Sequence, residues 1–449
     1  MPSRLFLLAF LSLLPNSLSA SETSPNFVII FCDDLGFADL GCFGHPTIRT
    51  PHLDRMAAEG QKWTSFYCAA PVCTPSRAGL MTGRLPIRNG MTSAKRVVLF
   101  PNSGGGLPQE ETTMAELLKE RNYATACIGK WHLGHLPQFL PTQAGFDEYF
   151  GIPYSNDMHK PGGVPLMRND KILEQPVDQR TVTKRYTEEA VRFIREHAEE
   201  PFFLYLPHTM PHIPLFVSDK FKDTSPRGLY GDVIEEIDWS VGQVLDTLRE
   251  VGCDEKTMVV FTSDNGPWLS FRLDGGSAGL LRAGKGTTFE GGMRVPTIFR
   301  WPGKIKAGST VTQMGSTLDL MATCAAISNT QLPTDRTLDS LDLSPALLGT
   351  GNSPRDTMFY YTRGVLYAVR KGPYKLHLWT REPIKYGRAP IRQDPPLLYH
   401  VEHDPGEQFD LAAKNPAVVA ELLQVIAEHE KTVKPAVDQL AIPLVTDAK

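Results

Sequence analysis

The sequence has little cysteine and, after its first 20 residues, no long hydrophobic run. Seven cysteines scattered through 449 residues are too few for a disulfide-built scaffold, and their number is odd. We therefore predict no particular disulfide. A helix that crosses a bilayer needs about 20 consecutive apolar residues, so the mature chain is predicted to lack a membrane span.

An excess of basic charge is also missing. The chain has 46 Lys and Arg against 50 Asp and Glu, a formal net charge of -4. Proteins that bind nucleic acid usually carry a basic patch or stripe, whereas the cations here are interspersed with carboxylates. Nucleic acid is therefore not an expected partner.

The first 20 residues have the pattern of a secretory signal peptide. One early cation, Arg4, precedes an apolar run from Leu5 to Leu14, and small residues follow up to Ala20. The run is too short to cross a bilayer stably. We predict that residues 1–20 are a signal peptide and that the protein is secreted or periplasmic.

Four short apolar runs have the composition of buried strands. They are rich in β-branched and aromatic residues and comprise Asn26–Cys32, Ala124–Gly129, Phe202–Leu206 and Met258–Ser263. Segments with helical periodicity lie between them, at Pro51–Gly60, Thr113–Arg121, Thr187–Glu199 and Asp232–Val251. This alternation predicts an α/β fold with a large, mainly parallel sheet flanked by helices.

The length and a late change of composition indicate a second domain. Single cores stop growing at roughly 250–300 residues, and this chain has 449. After Leu343–Gly349, a strand-turn-strand pattern runs from Met358 to Trp379, and an amphipathic helix is predicted from Ala417 to His429. We predict a catalytic domain over residues 21–352 and a small domain, an antiparallel sheet with a helix, over residues 353–449.

Polar residues follow the ends of the predicted strands. They are Asp33 and Asp34, Lys130 and His132, His212, and Asp264 with Asn265. Each group taken alone is compatible with a solvated loop or a helix cap. In open α/β sheets, however, ligands bind outside the carboxyl ends of the strands, so we expect these side chains to converge. In an extended segment Lys130 and His132, two residues apart, are expected to point to the same side.

Cys73 and Lys285 add two further elements to this predicted site. Pro75 lies near the start of a short segment that ends at Gly83, so Cys73 is expected at a helix N-terminus, where an anion is favoured; the alternative is an ordinary buried cysteine. Lys285 stands among glycines, but the Walker spacing is absent, which disfavours nucleotide binding. Asp and Asn oxygens suit a hard cation, so Ca²⁺ is predicted, with Mg²⁺ second and zinc disfavoured.

The segment around Cys73 resembles the signature of the type I sulfatases. Cys73-Thr74-Pro75-Ser76-Arg77 and Leu80–Arg84 match its two halves. Other blocks occur in the family's order: Asp33–Gly36, Gly129–Gly134, Thr262–Gly266, Gly284–Gly292 and Leu398–Glu407. The resemblance implies an alkaline-phosphatase-like fold and an arylsulfatase-type hydrolase that cleaves sulfate monoesters.

The resemblance also implies roles for individual residues. Calcium ligands would be Asp33, Asp34, Asp264, Asn265 and Cys73 after its oxidation to formylglycine by a formylglycine-generating or other cysteine-modifying enzyme. The formylglycine hydrate would be held by Arg77 and His132, and the sulfate by Lys130, Lys285 and, in a loop that departs from the relatives, Ser155. In the implied mechanism a hydroxyl of the hydrate attacks sulfur with Asp264 as base, and His212 protonates the leaving oxygen. The second hydroxyl then loses its proton, with His132 as candidate acceptor, and this step expels sulfate.

The expected substrate is a sulfated galactose-type sugar, with aryl sulfates as poorer substrates. Specificity is expected from the loops Pro153–Leu166 and Pro267–Arg282, which carry Asn156, Asp157, His159, Trp268, Arg272 and Asp274. The first alternative is a phosphonate monoester or phosphodiester hydrolase of the same superfamily. The second, a calcium-dependent sugar-binding protein without catalysis, is disfavoured because the complete set of reactive residues is present.

Overall fold

The structure is a computed structural model that describes residues 24–158, 162–382 and 388–445. The predicted signal peptide and His159 lie outside these ranges. All seven cysteines are described, and each is a free thiol. Within the described ranges no helix is both long and apolar enough to cross a membrane.

Fourteen strands and ten α-helices form the described part of the chain. The strands are β1 Asn26–Cys32, β2 Gln61–Tyr67, β3 Ala124–Ile128, β4 Glu148–Gly151, β5 Leu166–Arg168, β6 Lys171–Glu174, β7 Phe202–Pro207, β8 Thr257–Ser263, β9 Thr297–Arg300, β10 Ser309–Ser316, β11 Thr357–Thr362, β12 Val365–Lys371, β13 Tyr374–Thr380 and β14 Ile391–His400. The helices are α1 Pro51–Glu59, α2 Cys73–Thr82, α3 Pro86–Asn89, α4 Met114–Lys119, α5 Val182–Glu196, α6 Leu229–Glu250, α7 Glu290–Met293, α8 Asp319–Ser328, α9 Ser344–Leu347 and α10 Pro416–Thr432.

The large sheet has ten strands in the order β10-β2-β9-β8-β1-β7-β3-β4-β5-β6. The four predicted strands lie side by side at its centre as β8, β1, β7 and β3, and all three of their pairings are parallel. Antiparallel neighbours occur around β9 and at the β4-β5-β6 edge. The predicted large, mixed and mainly parallel sheet is therefore confirmed.

Both faces of the central strands are buried. In β1, Phe27, Ile29 and Phe31 belong to one hydrophobic cluster, whereas the residues between them belong to the other, because successive side chains of a strand point to opposite faces. Helices α1, α5 and α6 cover the second cluster, and α2, α4 and α8 cover the first. This double cover explains why the central strands are almost continuously apolar.

The second sheet has four antiparallel strands in the order β11-β12-β13-β14, and α10 packs against it. Lys371-Gly372-Pro373 forms the predicted turn between β12 and β13. After α10 the chain returns to the part of the molecule that holds the large sheet. There the Ala436 N–H donates to the Ile87 carbonyl at 3.0 Å and the Gln439 N–H to the Gly90 carbonyl at 3.0 Å. The predicted small sheet with a helix is thus present.

Some elements differ from the sequence expectations. We expected a long surface loop from Pro153 to Asp170, but β5 begins at Leu166 and pairs antiparallel with β4 and β6, while Ser155 is buried. No strand or helix was predicted at β2, β10, β14 or α8, nor at the short strands β4, β5 and β6. The strands β4, β5 and β6 carry little periodic signal, because three or four residues cannot establish an alternation.

Leu204 in the centre of β7 provides a test of this packing. It is fully buried and pairs in register with Val28 and Ala126. We expect Leu204→Ala to destabilise the protein by about 2–5 kcal/mol, because the removed side chain leaves a cavity in a covered sheet. Leu173→Ala, at a position that is 50% exposed on β6, is the control and should cost less than about 0.5 kcal/mol. Thermal midpoints measured at one scan rate check this, and equal losses for the two variants would contradict it.

Candidate active site

The adjacent parallel strands β1 and β8 bring two acidic segments together. Cys32 is paired with Ser263, so Asp33-Asp34 and Asp264-Asn265 leave the same edge of the sheet side by side. The Asp264 N–H donates to the Cys32 carbonyl at 3.0 Å, and the Asp34 N–H donates to Asp264 Oδ1 at 3.2 Å. Asn265 Nδ2 donates to Asp34 Oδ1 at 2.7 Å. All four side chains are buried, as expected for a site at strand ends.

Two lysines neutralise the aspartates of the first segment. Lys130 Nζ pairs with Asp33 Oδ2 and also donates to Ser155 Oγ at 3.0 Å. Lys285 Nζ pairs with Asp34 Oδ2 at 2.8 Å. The backbone of Lys130 is fixed by the end of β7, since its N–H donates to the Pro207 carbonyl at 2.8 Å. Residues from five separate parts of the chain therefore meet at one point.

Helix α2 adds Cys73 and Arg77. Cys73 is its first residue, and its Sγ forms a group with carboxylate oxygens of Asp33 and Asp264 in which all three atoms lie within 4.8 Å of one another. One turn later, Arg77 Nη2 lies 2.8 Å from Asp264 Oδ2 and 3.2 Å from Asp33 Oδ2. Its Nη1 donates to the Lys130 carbonyl at 3.1 Å. Arg77 thus links the two acidic segments to the strand end that carries Lys130.

The site contains three carboxylates and three cations, all of them buried. Burial alone would raise the pKa of Asp33, but the charges of Lys130 and its other basic neighbours hold it well below its usual range. For Asp34, burial outweighs the nearby Lys285 and raises the pKa. Burial and the neighbouring Asp33 raise the pKa of Asp264 to about 7. Asp33 is therefore the most firmly ionised carboxylate of the three.

The Cys73 thiol is not activated by this environment. Burial raises its pKa to about 11, although Lys130 and Lys285 act in the opposite direction. A thiol must lose its proton to become a good nucleophile, so the unmodified side chain is mainly neutral near pH 7.

His132 corrects one sequence expectation. Its φ of 61° is in the left-handed region, so the extended geometry that we expected for Lys130 and His132 does not apply. Nε2 lies 2.9 Å from the Leu99 carbonyl oxygen, which can only accept, so this nitrogen carries the proton. Nδ1 is buried and has no hydrogen-bond partner among the described residues. Burial, with Lys130, lowers the pKa of His132 well below its usual value. The ring is thus neutral, with a free lone pair on Nδ1.

His212 is also oriented by its backbone surroundings. Its Nδ1 lies 2.5 Å from the Ile213 carbonyl and 3.1 Å from Asn156 Oδ1, so Nδ1 is the donor. Nε2 faces Ser155 Oγ at 3.4 Å and Asp34 Oδ2 at 3.7 Å. Burial, with Lys285, lowers the pKa of His212 well below its usual value. Ser155 therefore lies between Lys130 and His212, at the point where these two predicted site residues meet.

Three further residues contact the site: Trp268 and Asn156, which were expected only in the specificity loops, and Leu99, which was not expected at all. Trp268 lies beside His212, with ring centroids 5.3 Å apart, and its ring is 4.2 Å from Lys285 Nζ. Asn156 orients His212 through its amide oxygen. Leu99 orients His132 through its backbone carbonyl. Of the other residues proposed for specificity, Arg272 and Asp274 are exposed. A backbone acceptor leaves no trace in residue identity, which explains why Leu99 was missed.

The donor atoms fit a hard cation. Asp33 Oδ1 and Asn265 Oδ1 are buried and have no hydrogen-bond partner among the described residues. Buried polar atoms are rarely left unsatisfied, so two such oxygens beside Asp34 and Asp264 have lone pairs that suit a positively charged ligand. Oxygen ligands of this kind are typical of Ca²⁺ or Mg²⁺ sites.

Comparisons with known proteins agree with the sequence resemblance. The family model described as "Sulfatase" matches residues 25–329, and "C-terminal region of aryl-sulfatase" matches residues 353–447. Arylsulfatase A from Homo sapiens is 42% identical, with 90% of this chain and 86% of the relative covered. N-acetylgalactosamine-6-sulfatase from Canis lupus familiaris is 41% identical, with 93% and 88% covered.

A solved structure gives the same result. The PsFucS1 sulfatase from Pseudoalteromonas sp. has a TM-score of 0.84 and 28% identity, with 91% of this chain and 90% of that chain covered. The family predicted from the cysteine signature is confirmed by these matches. The chain belongs to the sulfatase family and is a sulfuric ester hydrolase.

Proposed function

We propose that this sulfatase hydrolyses sulfate monoesters of galactose-type sugars with formylglycine at position 73 and a calcium ion. The observation that carries the proposal is the position of Cys73 at the start of α2, beside Asp33 and Asp264 and within reach of the charges of Lys130 and Lys285. A buried anionic ester needs positive charge around it. Three cations and a divalent metal site supply that charge.

The charge balance supports a metal as part of this site. Without a ligand, Lys130 and Lys285 each pair with an aspartate, so neither is available as an uncompensated charge. A cation held by Asp33, Asp34, Asp264 and Asn265 would take over as the partner of the carboxylates. The two lysines would then face the sulfate, and the cation would supply Lewis-acid stabilisation of the anionic oxygens.

The environment of Cys73 supports the proposed modification. A neutral buried thiol is a poor nucleophile, whereas the hydrate of formylglycine supplies a hydroxyl for attack on sulfur and a second one for release of sulfate. His132 Nδ1, which has no hydrogen-bond partner among the described residues, has the lone pair needed to accept a proton. His212 Nε2 faces the side of Ser155 and Lys130, where the leaving oxygen would lie. Because Nδ1 of His212 already donates to the Ile213 carbonyl, the ring must bind a second proton at Nε2 before it can protonate that oxygen. Asp264 is the proposed base for the attacking hydroxyl.

The role of Cys73 can be tested by mass and by mutation. We expect the peptide that contains Cys73 to carry formylglycine in active protein, and Cys73→Ala to lose at least about 10³-fold in kcat because the nucleophile is absent. Cys324→Ala, which removes another buried thiol in α8, is the control and should keep its activity. Full turnover by protein whose Cys73 peptide is wholly unmodified would refute the proposal.

The calcium proposal predicts that chelation abolishes activity and that added Ca²⁺ restores it better than Mg²⁺. Asp33→Asn and Asp264→Asn should each lose about 100-fold or more in kcat, because a neutral amide weakens the cation site. Calorimetric titration with Ca²⁺ should show weakened binding by both variants. Asp246→Asn, on the exposed side of α6, is the matched control and should bind normally. Wild-type rates in excess chelator would contradict the proposal.

The sugar assignment is supported by relatives and by one loop. N-acetylgalactosamine-6-sulfatase, by its name, acts on a sulfated galactose-type sugar. Asp157 follows Ser155 and Asn156 closely, and its Oδ1 is buried without a hydrogen-bond partner among the described residues. A sugar hydroxyl is a suitable donor to such an oxygen.

Kinetics can separate sugar from aryl substrates. We expect galactose-type sugar sulfates to have higher kcat/KM than an aryl sulfate, and an aryl phosphate to be poor. Asp157→Ala should raise KM for the sugar sulfate by about tenfold, since a charged hydrogen bond is lost, and leave the aryl sulfate nearly unchanged. Inert sugar sulfates, or no effect of Asp157→Ala on them, would reject the assignment.

A further inference from the structure

Two acidic residues within the sulfatase-like blocks have no part in the chemistry above. Glu290 is the first residue of α7, which follows the Lys285 loop, and Glu407 lies in the turn region after β14 of the small domain. Both are fully buried, although they are 117 positions apart. Buried carboxylates are costly unless they are paired, so their partners indicate what they do.

Glu407 connects the small domain to the start of α7. Its Oε2 accepts the Glu290 backbone N–H at 2.6 Å, and its Oε1 lies 3.2 Å from Lys375 Nζ and 2.7 Å from His377 Nε2. Lys375 Nζ also donates to Glu290 Oε1 at 2.8 Å, and Tyr67 in β2 donates to Glu290 Oε2 at 2.6 Å. These contacts form a closed, buried network between β13 of the small sheet and α7.

Helix α7 in turn packs against the backbone of the active site. The Gly266 N–H donates to the Gly292 carbonyl at 3.1 Å, and a Cβ at Gly266 would lie 1.8 Å from the Gly291 carbonyl oxygen. A Cβ at Gly292 would lie 2.6 Å from the Gly284 carbonyl oxygen. The backbone of α7 is therefore in direct contact with Gly266, the residue after Asn265, and with Gly284, the residue before Lys285. A shift of α7 would move both of them.

We propose that Glu407 is a positioning residue for Lys285, so that the small domain sets the sulfate-binding geometry of the active site. Glu407 acts on Lys285 indirectly, through Glu290 and the α7 glycines. The inference rests on the proposed sulfate contact of Lys285. A hydrophobic contact between the domains would be enough for stability. Ion pairs and a backbone hydrogen bond are directional, so they also fix the position of α7.

The test is a double-mutant cycle on the full-length, calcium-loaded enzyme with an aryl sulfate as substrate and inorganic sulfate as inhibitor. Glu407→Gln keeps the side-chain length but removes the charge that pairs with Lys375. We expect KM and the inhibition constant of sulfate both to rise by about tenfold, with kcat changed less, because small displacements weaken the binding of the anion. In the Lys285→Ala background, Glu407→Gln should add nothing further, because the residue through which it acts is gone.

Two further variants separate positioning from stability. Asp319→Asn changes a buried carboxylate that pairs with Arg355 and lies at the start of α8, so it should lower the thermal midpoint without changing KM. His377→Phe keeps a buried ring but removes one donor to Glu407, and should cause a smaller rise in KM that is also absent in the Lys285→Ala background. His377→Phe replaces Glu407→Gln in the double-mutant cycle if the Glu407→Gln protein does not fold.

The outcomes distinguish the two proposals. Additive effects of Glu407→Gln and Lys285→Ala on KM would overturn the positioning role but not the sulfate contact of Lys285. A rise of KM in Asp319→Asn equal to that in Glu407→Gln would do the same. Unchanged KM and sulfate inhibition in Lys285→Ala itself would overturn the sulfate contact and, with it, this inference. A rise in KM that vanishes when Lys285 is absent is the expected result.

Discussion

The pairing of buried charges is the constraint on which this site depends. Six ionisable side chains lie together with almost no contact with water, and an unpaired charge there would cost several kcal/mol. Each must therefore lie where an opposite charge can reach it: Lys130 at Asp33, Lys285 at Asp34, and Arg77 between Asp33 and Asp264. The strand order meets this need, because β1 and β8 are neighbours and their ends place both acidic segments at one edge of the sheet.

A set of charges that is balanced without ligands is also ready to bind them. A divalent cation and a sulfate ester have charges of opposite sign. Each ligand therefore offsets the net charge that the other adds to the site. The buried Asp33 Oδ1 and Asn265 Oδ1, which have no hydrogen-bond partner in the part of the chain that the structure describes, lie on the acidic side. Lys285 and the ring of Trp268 lie on the basic side. The sulfate is therefore expected to bind more tightly once the cation is present, which is a coupling between the two ligands.

The sequence predicted this site where the chemistry is local to a strand end. Asn26–Cys32 and Met258–Ser263 are recognisable as buried strands, and the polar residues that follow them were expected to converge. The left-handed backbone of His132 was not predicted, because it depends on contacts with Leu99 and Thr74 from distant parts of the chain. Glu407 lies 117 positions from Glu290, and neither residue carries a local pattern that indicates their contact.

The same burial bears on the formylglycine that we propose at position 73. In this environment the pKa of Cys73 is raised to about 11, and a thiolate would in any case compete with Asp33 and Asp264 for the same cations. A hydrated aldehyde needs no prior ionisation, since its hydroxyl can lose a proton as it attacks. The requirement then moves to nearby bases. Burial keeps the His132 ring neutral, as it keeps the thiol neutral, and its Nδ1 has no hydrogen-bond partner among the described residues. Desolvation thus disfavours one nucleophile and prepares the proton acceptor that the other needs.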